Sequence, residues 1–227
     1  MIWIVPFLLL LALVYAPNLW VKRVMRRHAA DRPDLPGTGG ELARHLLDEA
    51  GLQTVGVEQC EEGGDHYSPL ERVVRLSPSN HDGRSITAVA VAAHEVAHAI
   101  QHRDGDPKLA WRTQLAGAAG QIERLGSVVL LATPLVGIVL RSPLLLALEI
   151  GIGLLMMSSR IVVHALTLPM ELDASFRRAL PALDAGGYLA QRDMPAARQV
   201  LRAAALTYVA AGLASLLDVL RWVRILR

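Results

Sequence analysis

Apolar residues gather in long stretches at the start, middle and end of the chain, with short periodic patterns between them. Residues 1–20 are apolar apart from Pro6, Asn18 and anchoring tyrosine and tryptophan, and the basic run Lys22, Arg23, Arg26, Arg27 follows at once. A secretory signal carries its positive charge before the apolar stretch, so this segment predicts a retained membrane helix with the next residues in the cytoplasm. Residues 125–140 are apolar, Arg141-Ser142-Pro143 breaks the run, and 144–157 resumes it, extending through Ile161-Val162-Val163 if Arg160 faces protein or snorkels. This pattern predicts a hairpin of two membrane helices. Residues 203–219 form the last apolar segment, ending in Arg221, Arg224 and Arg227. A fourth crossing there puts these arginines outside, against the positive-inside tendency; a re-entrant or surface helix removes the conflict.

Between the first two stretches the pattern changes to that of a small folded domain. A Pro/Gly/Asp-rich linker covers 31–40, and Thr38-Gly39-Gly40-Glu41 opens an amphipathic helix with Leu42, Leu46 and Leu47 on one face, ending near Gly51. Residues 54–58 and 72–76 are Val-rich and alternate as short strands do, and 63–69 carries turn chemistry. Ser85 is an N-cap for an Ala- and Val-rich helix running to about Arg103, where Gly105 and Pro107 end it. Pro169 starts a fresh helix with Glu171 in its first turn, and a mixed polar stretch runs over 171–202. The expected fold is a mainly α membrane protein with about four membrane helices and a small α+β domain. Its divisions are an N-terminal membrane helix 1–20, the α+β domain 21–120, a membrane hairpin 121–168, a helical segment 169–202 and a C-terminal membrane helix 203–227.

Composition agrees with lipid-packed helices. The apolar share is 52%, mean hydropathy is +0.34 and aromatics make up only 4%, so the apolar content is aliphatic. A net charge of +2 gives no basis for binding nucleic acid, and the single cysteine, Cys60, excludes an intrachain disulfide.

The chemistry sits in His94-Glu95-Val96-Ala97-His98, which fits H-E-x-x-H. Residues four apart on a helix share a face, about 6 Å apart along the axis, so both imidazoles reach one zinc ion. Glu95, beside the first ligand, is placed to take the proton of an attacking water as general base. Zinc then needs a third protein ligand. His102 lies on the same face but about 12 Å from His94 along the axis, too far to share one metal with it. The metzincin continuation is absent: Gln101 and Asp104 stand where it has glycine and a third histidine. Glu171 is a candidate third ligand; equally, Glu171 and Asp173 suit the first turn of a helix on electrostatic grounds alone. If Glu171 binds, Asp173 orients a histidine through its other ring nitrogen, since residues two apart point to different sides. The two crossings between His94 and Glu171 return the chain to the same side of the membrane. In the turn, His66 or Tyr67 is a candidate oxyanion donor, against a plain packing role for the ring. Glu149 and His164 are ionisable groups inside apolar sequence.

These motifs resemble the YugP-like neutral zinc metallopeptidases of bacterial membranes. The likeness runs through Thr38-Gly39-Gly40-Glu41, Asp65-His66-Tyr67-Ser68-Pro69, the helix around His94 and His98, Thr167-Leu168-Pro169-Met170-Glu171-Leu172-Asp173-Ala174-Ser175, and the run from Ala203 to Ala211. Ala97 and Ser68 depart from the usual glycine and aspartate, and neither removes a ligand. The resemblance implies one zinc ion, Glu171 as third ligand, peptidase action on protein or peptide substrates, and a multi-pass place in the bacterial inner membrane. The basic run after residue 20 puts the site on the cytoplasmic side. An extended substrate is expected to pair with the strand at 72–76. The rival reading is a non-catalytic zinc scaffold, or a transporter using Glu149 and His164.

Overall fold

The computed structural model describes residues 4–225, and side-chain surroundings for 15–115, 117–139, 141–213 and 215. It is mostly helical with one small sheet. In order, the elements are α1 (Ile4–Arg27), α2 (Gly39–Glu49), β1 (Gly56–Gln59), β2 (His66–Ser68), β3 (Val73–Leu76), α3 (Pro78–His81), α4 (Ile86–Arg103), α5 (Pro107–Leu140), α6 (Pro143–Met157) and α7 (Ser159–Asp173). A π-helical turn (Ala174–Ala179), α8 (Leu180–Ala185) and α9 (Met194–Ile225) complete the chain. Two compact units divide it: one holds 18–110 and 168–207, the other 1–17, 111–167 and 208–227.

The first unit carries the sheet. Thr38 and Glu41 form a reciprocal capping box, with Glu41 N–H donating to Thr38 Oγ1 at 3.2 Å and Thr38 N–H to Glu41 Oε2 at 2.7 Å. Gly39 follows because a Cβ there would meet Asn80 O at 2.2 Å and Ala88 O at 2.9 Å, so a side chain would push α2 off α4. Leu42, Leu46 and Leu47 of α2 enter the core with Val74 and Leu76 of β3 and the Ala/Val surface of α4. Replacing Thr38 by Ala removes one cap acceptor and is expected to cost about 1 kcal/mol, read as a lower unfolding midpoint with zinc affinity unchanged.

The strand order is β1-β3-β2, β1 parallel and β2 antiparallel to β3. β3 is thus the central strand, paired on both sides, which overturns the expectation that 72–76 offers its edge to a substrate; the edge strands are β1 and β2. β2 itself falls in the segment expected to be only a turn. Asp65 just before it accepts from the Ser77 N–H at 2.7 Å and from Asn80 Nδ2 at 3.0 Å, which fixes the loop to α3.

In the second unit α5 and α6 pack closely. A Cβ on Gly126 would lie 2.8 Å from Met156 Cβ and 2.9 Å from Gly153 O, so the two helices meet at a glycine contact. Arg160 Nε reaches Glu123 Oε2 at 3.1 Å, and Thr133 Oγ1 donates to Glu149 Oε1 at 3.2 Å. Arg160 is thus paired with a carboxylate of α5 while its side chain stays half exposed. Leu131, Leu135, Ile138, Leu144, Leu148, Ile152 and Leu155 are exposed, as lipid-facing positions would be.

Among the described residues two helices are long and apolar enough to cross a membrane, rather than four: one over Pro107–Val139 and one starting at Pro143. The first begins well before the apolar run, because Leu109, Ala110 and Ala119 continue the helix through polar sequence. The side chains of 1–14 and 216–227, most of the first expected crossing and the end of the last, lie outside the described residues.

Candidate metal centre

α4 places the chemistry. Ser85 Oγ accepts from Ala88 N–H at 3.0 Å to start the helix, and Asp104 ends it. The helix is buried on nearly every side because alanine at 88, 90, 92, 93, 97 and 99 admits α2, the sheet and the π-helical turn at close range. His94, Glu95 and His98 are all buried on it.

Glu171 arrives from α7, but not as the spacing suggests. The helix runs unbroken through Pro169, so Glu171 sits in its last turn instead of a first turn. Proline costs one backbone hydrogen bond there and does not end the helix. The helix-N-terminus reading of Glu171 and Asp173 is therefore excluded. Immediately afterwards the backbone widens into the π-helical turn, a form common at functional sites.

Glu171, with no exposed surface, brings Oε2 to 3.2 Å from His94 Nε2 and 3.3 Å from His98 Nε2. One donor atom from each residue lies within 4.8 Å of the others. Ligands at 2.0–2.1 Å from a tetrahedral zinc lie about 3.3 Å apart, and the two Glu171–histidine separations match that edge. The donor set of two imidazoles and a carboxylate fits zinc with a fourth position left open. A purely structural site usually closes all four.

Asp173 does not touch a histidine. Its Oδ2 accepts from Gln101 Nε2 at 2.9 Å and from Arg178 Nε at 2.9 Å, and it is Gln101 that meets His98, at 2.9 Å from Nδ1. Arg178 also pairs with Asp104 at 2.6 Å, closing the end of α4 against the segment after Glu171. Arg178 and Arg103 hold the Asp104 carboxyl below the usual carboxylate range. Ser175 Oγ lies 3.0 Å from His94 Nδ1 and donates to Leu201 O at 3.0 Å. Ser175 and Gln101 were not singled out from sequence. The signals were there: Gln101 is three residues past His98 and Ser175 four past Glu171, both on ligand-bearing faces.

His66 is exposed and bonds to Gly64 O at 2.6 Å. Tyr67 is buried, its hydroxyl 2.8 Å from His102 Nδ1, and burial pushes the phenol up, so it stays protonated at neutral pH. His102, set aside as a ligand, is therefore the partner of Tyr67. Glu149 bonds to Thr133, as above, and the His164 ring packs against Tyr208 at 5.7 Å.

The chain is 39% identical over 189 residues to the "Putative membrane protease YugP" of Bacillus subtilis (strain 168), covering 83% of this chain and 80% of that one. No solved structure matches. The model of a family described as "Putative neutral zinc metallopeptidase" matches residues 1–227, and the chain belongs to that family.

Proposed function

We propose that this protein is a membrane-embedded metalloendopeptidase that hydrolyses peptide bonds with one zinc ion, held by His94, His98 and Glu171. The observation that carries the reading is the convergence of three buried donor atoms with Glu95 beside the first of them on α4. Zinc bound there supplies positive charge that polarises the scissile carbonyl and lowers the pKa of water. Glu95 takes a proton from the attacking water onto its carboxylate and passes it to the leaving amine nitrogen. Glu171 adds a negative charge to the two neutral imidazoles. Of the two oxyanion candidates, Tyr67 is favoured over His66, because it is buried, protonated and packed by His102 on the helix of the ligands. An extended substrate adds along β2, the edge strand that carries Tyr67.

The exposed residues Lys22, Arg23, Arg26 and Arg27 favour a cytoplasmic site. Two crossings, by α5 and by α6 with α7, bring Glu171 back to the side of His94. The relative's printed name, "Putative membrane protease YugP", supports a membrane location for this chain, and the membrane proposed is the bacterial inner one.

The test is cleavage of an unfolded protein by the purified chain in detergent, metal-stripped and then loaded with zinc. One zinc per chain, cleavage by the loaded form alone, and loss of cleavage on chelation are expected. One zinc bound without cleavage of unfolded or membrane-protein substrates would favour the scaffold reading.

A further inference from the structure

Each ligand histidine turns Nε2 to the Glu171 carboxylate. Through Nδ1 each meets a neutral side chain whose own bonds leave it only one role. Gln101 has no exposed surface. Its Nε2 lies 3.1 Å from Met170 O and 2.9 Å from Asp173 Oδ2, both acceptors, so the amide nitrogen faces them and the amide oxygen faces His98. An amide oxygen only accepts, so His98 Nδ1 must carry the proton. Ser175 repeats the logic. Its hydroxyl proton goes to Leu201 O, a carbonyl that only accepts, so Ser175 Oγ accepts from His94 Nδ1–H.

We infer that Ser175 and Gln101 are positioning residues that select the tautomers of the metal site. They hold both rings with Nδ1 protonated and the Nε2 of each turned toward Glu171 Oε2, where a bound metal would take its lone pair. Gln101 does a second job: its bond to Met170 O joins the helix of the two histidines to the residue before Glu171. One amide thereby sets the ring angle of one ligand and the approach of another. Because both acceptors are neutral, the site gains no charge from behind the histidines, and Glu171 is the one anionic member of the ligand set. The inference rests on the metal reading proposed above for the zinc half of its test, and on the hydrogen-bond pattern alone for the tautomer half.

The experiment uses the full chain in micelles with ¹⁵N-labelled histidine. Long-range ¹H–¹⁵N correlation of the metal-free protein, assigned with His94→Ala and His98→Ala, is expected to show a proton held on Nδ1 at both positions. Zinc affinity is then measured by competition with a chromophoric chelator. Ser175→Ala and Gln101→Met are expected to release the tautomer of His94 and His98 respectively and to weaken zinc binding about 10–100-fold. Gln101→Glu keeps an acceptor for His98 while losing both donated bonds. It should retain the His98 Nδ1–H signal and bind zinc more tightly than Gln101→Met.

Wild-type rings found without a fixed proton on Nδ1, as the Nε2–H-only tautomer or as an averaged mixture, would overturn the inference without recourse to any variant. So would Gln101→Met and Ser175→Ala proteins that unfold at the wild-type midpoint and bind zinc as tightly as wild type. Failure of the wild type to bind zinc would instead defeat the metal reading, and the tautomer signals, read without metal, separate the two failures.

Discussion

Glu95→Gln is expected to bind one zinc per chain with near wild-type affinity and to hydrolyse peptide bonds about 10²–10⁴-fold more slowly. The substitution keeps size and helix propensity, so α4 and its close packing survive. It removes the one property the mechanism needs, a carboxylate that can accept a proton and return it. Zinc affinity should hold because Glu95 is outside the set of three converging donors. Its burial also means that no solvent-exposed carboxylate simply replaces it. Zinc content by elemental analysis and cleavage of an unfolded protein, run on both proteins, check the prediction. Equal cleavage by wild type and variant would place hydrolysis elsewhere or in a contaminant.

The helix of the site was legible because its determinants are local. Ser85 caps it, alanine fills it, and Gly105 at φ +69° follows its C-terminus, where a left-handed residue closes a helix. Thr38 and Glu41 announced α2 by the same kind of short-range chemistry. What depended on distant neighbours was misread. Residues 66–68 look like a turn, yet Tyr67 pairs with Val74 in register, and the pairing rather than propensity makes the strand. Pro169 looks like a helix start, but neighbours on both sides carry the helix past it. Asp173 was expected against a histidine. The π-helical turn and the intervening Gln101 place it one residue further out, and nothing in local spacing announces a π-turn. The reason for Gly39 was likewise hidden: it reads as a helix opener, and its decisive constraint is the backbone of α3 and α4 against it.

Glu171→Gln separates the metal's contribution from the fold's. Structural zinc sites with four ligands bind with about 10–16 kcal/mol, so one ligand accounts for about 3–4 kcal/mol, and losing an anionic one should weaken zinc about 10²–10³-fold. The direction for the metal-free chain is the opposite of the usual buried-residue mutation. A carboxylate with no exposed surface is costly unless a positive charge faces it; zinc supplies that charge in the loaded site, and the two histidines supply it in the metal-free one wherever they are protonated. The neutral amide has nearly the same volume and no charge to desolvate. In alkaline buffer, where imidazoles are neutral, metal-free Glu171→Gln should therefore unfold no earlier than metal-free wild type. Zinc at a thousand times its dissociation constant stabilises the wild type by about 4 kcal/mol, and at the same concentration the variant should gain little. Thermal unfolding of both proteins with and without zinc gives the four midpoints required. A zinc-induced rise as large in Glu171→Gln as in wild type would remove Glu171 from the ligand set. A large fall in the metal-free midpoint would assign Glu171 to the architecture of α4 and α7 instead of to the metal.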